Sequence, residues 1–187
     1  ATGVLAFSHD GEERWRTFCG DDIHEYPAGT SPILYDDLVI VNASYECGDL
    51  IALKKHDGTE AWRQKGVTQS WNTPVVYRSL SGEDELAVSA LGEIRALDPK
   101  TGTQRWSCAV IDEYVCPSLT VENGILYAIG GRNGTAIAVR SGGRGDVTDS
   151  HRLWKIDKGS NVSSPVYHDG HLYWAKDKSG IIYCVNA

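Results

Sequence analysis

Tryptophans stand at positions 15, 62, 106 and 154, separated by 47, 44 and 48 residues. A second marker runs in phase with them: Ser31-Pro32, Thr73-Pro74, Cys116-Pro117 and Ser164-Pro165, each leading into a short apolar run. Two markers holding one register mean a repeated unit of 44 to 48 residues, too long for a heptad and of the length that builds solenoids and propellers. Within one period the alternation predicts four strands. Between Pro27 and Gln64 these cover Pro32–Tyr35, Leu38–Val41, Asp49–Lys54 and Ala61–Arg63, with turns at Asp36-Asp37 and His56-Asp57-Gly58. No segment carries helical periodicity. Four antiparallel strands per period describe a propeller blade, and a composition of 20 Gly, 6 Trp, 9 Tyr and no Met suits an all-β chain of many turns.

The stretch Ala96-Leu97-Asp98-Pro99-Lys100-Thr101-Gly102-Thr103-Gln104-Arg105-Trp106 is the clearest copy of the turn between the third and fourth strands. Asp98-Pro99 opens it, the carboxylate bonding backbone N–H groups ahead and Pro presetting φ. Gly102 supplies the positive φ that closes it. Gly11 and Gly58 stand at the same offset before Trp15 and Trp62. Before Trp154 the turn is expanded by about six residues into Arg140–Ser150, which is Gly-rich and polar and reads as a protruding surface loop.

The repeats fall at about 1–19, 27–66, 70–110, 115–158 and 163–187, three complete units between two partial ones, in a single domain of about four blades. A partial or half propeller is expected, either a piece of a longer chain or a protomer whose closure needs missing blades or self-association; the alternative is a compact four-bladed ring in which strands from the two termini complete one blade. The net charge of −7 argues against nucleic acid as a partner. No apolar run approaches the roughly 20 residues of a membrane span. Ala1-Thr2-Gly3-Val4 is neither basic nor the start of a long apolar run, so no signal peptide is read in the chain. The five cysteines, Cys19, Cys47, Cys108, Cys116 and Cys184, contain no C-x-x-C pair, which removes zinc-ribbon and thioredoxin-type sites. Cys108 and Cys116 are near in sequence, but pairing is not readable from spacing.

The repeat resembles that of the PQQ-like, quinoprotein-type β-propeller family, whose tryptophan-docking motif is A-x-D-x-x-T-G-x-x-x-W. Ala96–Trp106 matches at every fixed position. The copy ending at Trp62 keeps Ala52 and Gly58, with Asp57 for Thr and Lys54 for Asp. The copy ending at Trp15 keeps only Gly11 and the Trp, and Trp154 follows a disrupted turn. The resemblance implies that Trp15, Trp62, Trp106 and Trp154, with Gly11, Gly58 and Gly102, lock blade to blade. It also implies an extracytoplasmic location, periplasmic or secreted.

Enzymes of that family bind pyrroloquinoline quinone between a vicinal disulfide and a Trp floor, beside a calcium ion held by Glu, Asn and Asp with a catalytic Asp. This chain has no Cys-Cys pair. Trp71 and Trp174 are conceivable floors but read as core residues within strand regions. The acidic pairs Asp21-Asp22 and Asp36-Asp37 and the run Glu83-Asp84-Glu85 fall at predicted turns. His9, His56 and His168 precede Asp-Gly and track the repeat, so no catalytic or metal residue is assigned. The expected function is a non-enzymatic protein-interaction scaffold like the cofactor-free, BamB-like members, with no cofactor. Arg140, Arg144, Asp146 and Asp149 of the expanded loop are the candidate contact residues. The alternatives are a portion of a quinone- and calcium-dependent dehydrogenase, or a ligand-sensing propeller domain.

Overall fold

The computed structural model describes residues 2–21, 24–26 and 29–187. Asp22 of the Asp21-Asp22 pair, and Pro27 at the start of the second repeat, lie outside the described residues. The chain is a partial β-propeller of successive antiparallel meanders. The first sheet has two strands, β1 (Thr2–Phe7) and β2 (Glu13–Gly20). The second has four: β3 (Ile33–Tyr35), β4 (Leu38–Ala43), β5 (Asp49–Lys54) and β6 (Glu60–Lys65). The third has β7 (Val75–Arg78), β8 (Asp84–Ala90), β9 (Glu93–Leu97) and β10 (Gln104–Ala109). The fourth begins with β11 (Thr120–Glu122), β12 (Ile125–Gly130) and β13 (Thr135–Arg140). The short strand β14 (Gly145–Asp146) and the one-turn helix α1 (Thr148–His151) follow, before β15 (Arg152–Ile156) completes that sheet. The last sheet holds β16 (Val166–His168), β17 (His171–Lys176) and β18 (Ile181–Asn186).

Burial follows the period of two. On β5, Leu50 and Ala52 join the core between the second and third sheets, while Ile51 and Leu53 join the core toward the first. A strand buried on both faces is what stacked blades require. The end sheets are covered on one face only. Leu5, Phe7 and Phe18 are exposed on the first, and Val166 and Ile182 on the last, Ile182 at 74%. Tight hairpins use residues that tolerate the left-handed region: Asp36 at φ 46°, Asn123 at φ 48° and Asp169 at φ 46°.

The segments leading into β3, β7, β11 and β16 are joined by a relay of equivalent hydrogen bonds. The Ser31 N–H donates to Thr73 Oγ1, the Thr73 N–H to Ser118 Oγ, and the Ser118 N–H to Ser164 Oγ, each at 3.0 Å. This corrects the register of the second marker. In the fourth sheet the marker position belongs to Ser118, two residues beyond Cys116, because the hydroxyl that receives the neighbouring N–H defines it.

The Arg140–Ser150 segment does not protrude. It folds back on the preceding sheet, where β14 pairs in parallel with β10 through Trp106–Gly145 and Ser107–Asp146. The Val147 N–H donates to the Ser107 carbonyl at 2.9 Å, and the Ala109 N–H to Thr148 Oγ1 at 2.9 Å. Val147 is buried with Trp106 and Ile137. A polar, Gly-rich composition predicts a loop; one apolar residue, together with the open edge of β10, turned it inward.

Candidate functional site

Of the residues named from the repeat, Trp15 and Trp62, with Gly58 and Gly102, meet across the seams between successive sheets. Trp15 on β2 donates its indole N–H to the Lys55 carbonyl at 2.8 Å, and a β-carbon on Gly58 would fall 2.7 Å from its Cδ2. Trp62 on β6 donates to the Pro99 carbonyl at 3.1 Å, and a β-carbon on Gly102 would fall 2.5 Å from its Cε3. In both cases the ring of one sheet meets the Gly-containing turn of the next. That turn is held open by Asp98, whose Oδ1 accepts the Lys100 N–H at 2.8 Å and the Thr101 N–H at 3.2 Å. Gly11, at φ 85°, has nothing within 4 Å of its β-carbon position.

Trp106 departs from this pattern. It is fully buried, but its indole N–H donates at 2.9 Å to Oε2 of Glu85 in its own sheet. The next sheet carries the expanded loop in place of a tight turn, and Val147 rather than a turn glycine lies in its cluster. Trp154 is half-buried, tilted against Tyr127 at 6.2 Å, and packs with Leu172 and Trp174 of the last sheet.

Of the four loop candidates, two are occupied in holding the loop down. Arg144 Nη2 meets Glu83 Oε2 at 2.6 Å, and this guanidinium holds the Glu83 carboxyl below its usual range. Asp146 Oδ1 accepts the Thr148 N–H at 2.9 Å and hydroxyl at 2.6 Å, which lower its pKa. Arg140 and Asp149 are exposed. The histidine turns are local as well, with His56 Nε2 2.9 Å from Asp57 and His168 Nε2 3.4 Å from Asp169.

A different surface gathers residues from three sheets. Trp71 lies in the β6–β7 loop, half-exposed and outside any strand, which corrects its reading as a core residue. Its ring stacks on Tyr45 of the β4–β5 turn at 3.8 Å and meets Tyr114 of the β10–β11 loop edge-on at 5.5 Å. His24 approaches Tyr45 at 4.7 Å and Trp71 at 5.4 Å, and the Trp71 indole N–H donates to the Tyr26 carbonyl at 3.3 Å. Arg132, from the β12–β13 turn, lies 5.4 Å above the Tyr114 ring and donates from Nε to its hydroxyl at 3.4 Å, which raises the arginine pKa. Burial, with smaller contributions from Cys116 and Tyr114, pushes Tyr45 up to about 12. Its hydroxyl is therefore neutral across physiological pH. Trp174, the other conceivable floor, is buried on β17, where it donates to the Lys158 carbonyl at 2.9 Å.

The loop carrying Trp71 is fixed from beneath. Its neighbours Ser70 and Asn72 are 1% and 0% exposed. The Asn42 amide donates to Ser70 Oγ at 2.8 Å and to the Asn72 carbonyl at 2.9 Å, while Ser70 Oγ donates to the Ser89 carbonyl at 2.7 Å. The Trp71 N–H donates to the Val115 carbonyl at 2.8 Å, and the Val115 N–H to the Gln69 carbonyl at 3.0 Å. A buried, connected polar network is rigid, so the aromatic surface above it is preorganised. No spacing rule assembles this surface. A trace of it does exist: Tyr26, Trp71 and Tyr114 precede Ser31, Thr73 and Ser118 by five, two and four residues.

The family model described as outer membrane protein assembly factor BamB matches residues 2–187. The chain belongs to this BamB-type, PQQ-like repeat family. No curated protein matches it in sequence. Among solved structures it is similar to BamB from Moraxella catarrhalis, with a TM-score of 0.63 and 18% identity, covering 100% of this chain and 55% of that one. It is also similar to the quinohemoprotein alcohol dehydrogenase ADHIIG from Pseudomonas putida HK5, with a TM-score of 0.62 and 14% identity over 86% of this chain and 29% of the enzyme. The chain thus spans about half of the BamB structure and under a third of the dehydrogenase. At these identities the likenesses speak to fold.

No two cysteines are adjacent. Among the described residues, no three His, Cys, Asp or Glu side chains gather as a cation site. Among those residues, too, no helix is long and apolar enough to cross a membrane.

Proposed function

We propose that the chain is a cofactor-independent, extracytoplasmic protein-interaction scaffold, and that its partner docks on the Tyr45–Trp71–Tyr114–Arg132 surface rather than on the Arg140–Ser150 loop. The carrying observation is the convergence of Trp, Tyr and Arg from three sheets onto one rigid rim. These residue types dominate binding hot spots, because they bury large rigid area at low entropic cost while keeping a polar handle. The family description as an assembly factor supports the same reading. The exposed apolar faces of the two end sheets are where further blades or a second copy would pack, which the solution mass and scattering profile report.

The test is capture from a cell-envelope extract by the immobilised chain, followed by cross-linking. The double variant Trp71→Ala/Tyr114→Ala should lose the partner by about tenfold or more, with an unchanged far-UV spectrum. Arg140→Ala/Asp149→Ala should retain it. Equal capture by the rim variant, or loss confined to the loop variant, defeats this reading. The dehydrogenase reading predicts quenching of tryptophan fluorescence on adding pyrroloquinoline quinone and calcium; the scaffold reading predicts none.

A further inference from the structure

We propose that Cys19 and Cys47 are a disulfide pair that staples the first sheet to the second. The geometry starts from the alternation of β2. Trp15, Thr17 and Cys19 all face the second sheet: Trp15 reaches the Lys55 carbonyl, and the Thr17 hydroxyl donates to the Gly58 carbonyl at 2.6 Å. Cys19, the third residue of that face, is 5% exposed in a cluster with Ala43, Ile51 and Leu53, against which Cys47 packs.

The backbones meet at the same place. A β-carbon on Gly20 would collide with the Glu46 carbonyl oxygen and lie 3.0 Å from Cys47 Cβ. The residue next to Cys19 therefore touches the turn that carries Cys47. Burial raises the Cys19 pKa, and the Cys47 sulfur is close enough to raise it further. Both thiols are free in this structure. The other cysteines are placed elsewhere: Cys108 is buried between the third and fourth sheets, Cys116 lies beside Tyr45 at the rim, and Cys184 is exposed on the last sheet.

Cys47 is half-buried and accepts an N–H from Arg63 Nη1 at 3.4 Å; burial and the Asp49 charge raise its pKa despite that cation, so it reacts after losing its proton. With a small-molecule disulfide as oxidant, the Cys47 thiolate attacks one sulfur and expels the first thiolate. The resulting mixed disulfide is attacked by Cys19 after loss of its proton, and the second thiolate leaves. Two protein thiols are oxidised and one small disulfide is reduced to two thiols. In the cell the staple rests on the extracytoplasmic reading; the chemistry itself does not.

The test uses the full chain, reduced and then equilibrated with oxidised glutathione. Non-reducing peptide mapping should find the Cys19 and Cys47 peptides joined, two hydrogens lighter than their sum. The thermal midpoint should rise by about 5–10 °C, as expected for closing a loop of this length in a chain of this size. Cys19→Ser and Cys47→Ser should each remove the rise, while Cys108→Ser and Cys184→Ser keep it. The peptide map of the unmutated chain decides the matter even where Cys19→Ser folds poorly. Glutathione adducts alone, or Cys47 joined to any other cysteine, overturns the proposal. So does a map without the cross-link while rim-dependent partner capture is intact, and that outcome leaves the scaffold reading standing.

Discussion

Gly102→Ala is expected to cost much more stability than Gly11→Ala, although the two glycines hold the same place in the repeat. Both have positive φ, 70° and 85°, so each substitution carries the left-handed penalty of about 1–2 kcal/mol. At Gly11 nothing lies within 4 Å of the new methyl. At Gly102 the methyl meets Trp62 Cε3 at 2.5 Å and Cδ2 at 2.7 Å. The indole is 8% exposed and tethered to the Pro99 carbonyl, so it yields only by breaking that bond or shifting a sheet. Overpacking of this kind adds about 1–3 kcal/mol. Urea unfolding of both variants measures the difference. In a Trp62→Ala background the extra cost of Gly102→Ala should vanish, leaving the Gly11 value. Equal costs in the native background would show that the ring does not seal that turn.

The second large effect concerns Glu85, a carboxylate with 0% exposure in the seam between the third and fourth sheets. Its Oε2 accepts the Tyr77 hydroxyl at 2.6 Å and the Trp106 indole at 2.9 Å, and its Oε1 has no partner. Burial, and then the charge of Glu85, push the Tyr77 pKa upward, so that hydroxyl remains a donor. The corresponding pairs in the neighbouring sheets are Tyr35–Leu38 and Glu122–Ile125, so the place Glu85 takes is otherwise apolar. Glu85→Ala strands two buried donors at about 1–3 kcal/mol each and opens a cavity, for an expected total of about 3–5 kcal/mol. Glu85→Gln keeps an acceptor and should cost clearly less. Trp106→Ala should cost about 3–5 kcal/mol, and the double variant Glu85→Ala/Trp106→Ala less than the sum, because the second change removes a donor the first stranded. Thermal unfolding of the four proteins completes the cycle. A Glu85→Ala variant as stable as the parent would show that water or a shifted backbone satisfies Trp106 and Tyr77.

How much of this was legible in the sequence depends on whether the deciding contacts lie within one repeat. The Asp98–Gly102 turn was readable residue by residue, because an Asx carboxylate and a positive-φ glycine act on neighbours two to four positions away. The expanded loop was misread because its composition speaks for solvent, while its fate was set by Val147 and the β10 edge. Glu85 was read as part of an acidic turn. Its burial depends on an indole 21 residues away that had lost its tight turn in the next sheet.

The sequence by itself determined the blade: strand alternation, turn chemistry and a tryptophan every 44 to 48 residues act over distances that one repeat contains. Only the tertiary structure decided which loops meet. Tyr45, Trp71, Tyr114 and Arg132 lie on four separate connections, and Cys19 and Cys47 on two successive sheets. Stacking sheets about one axis brings the same end of every repeat to one rim, and no local periodicity records what stands there.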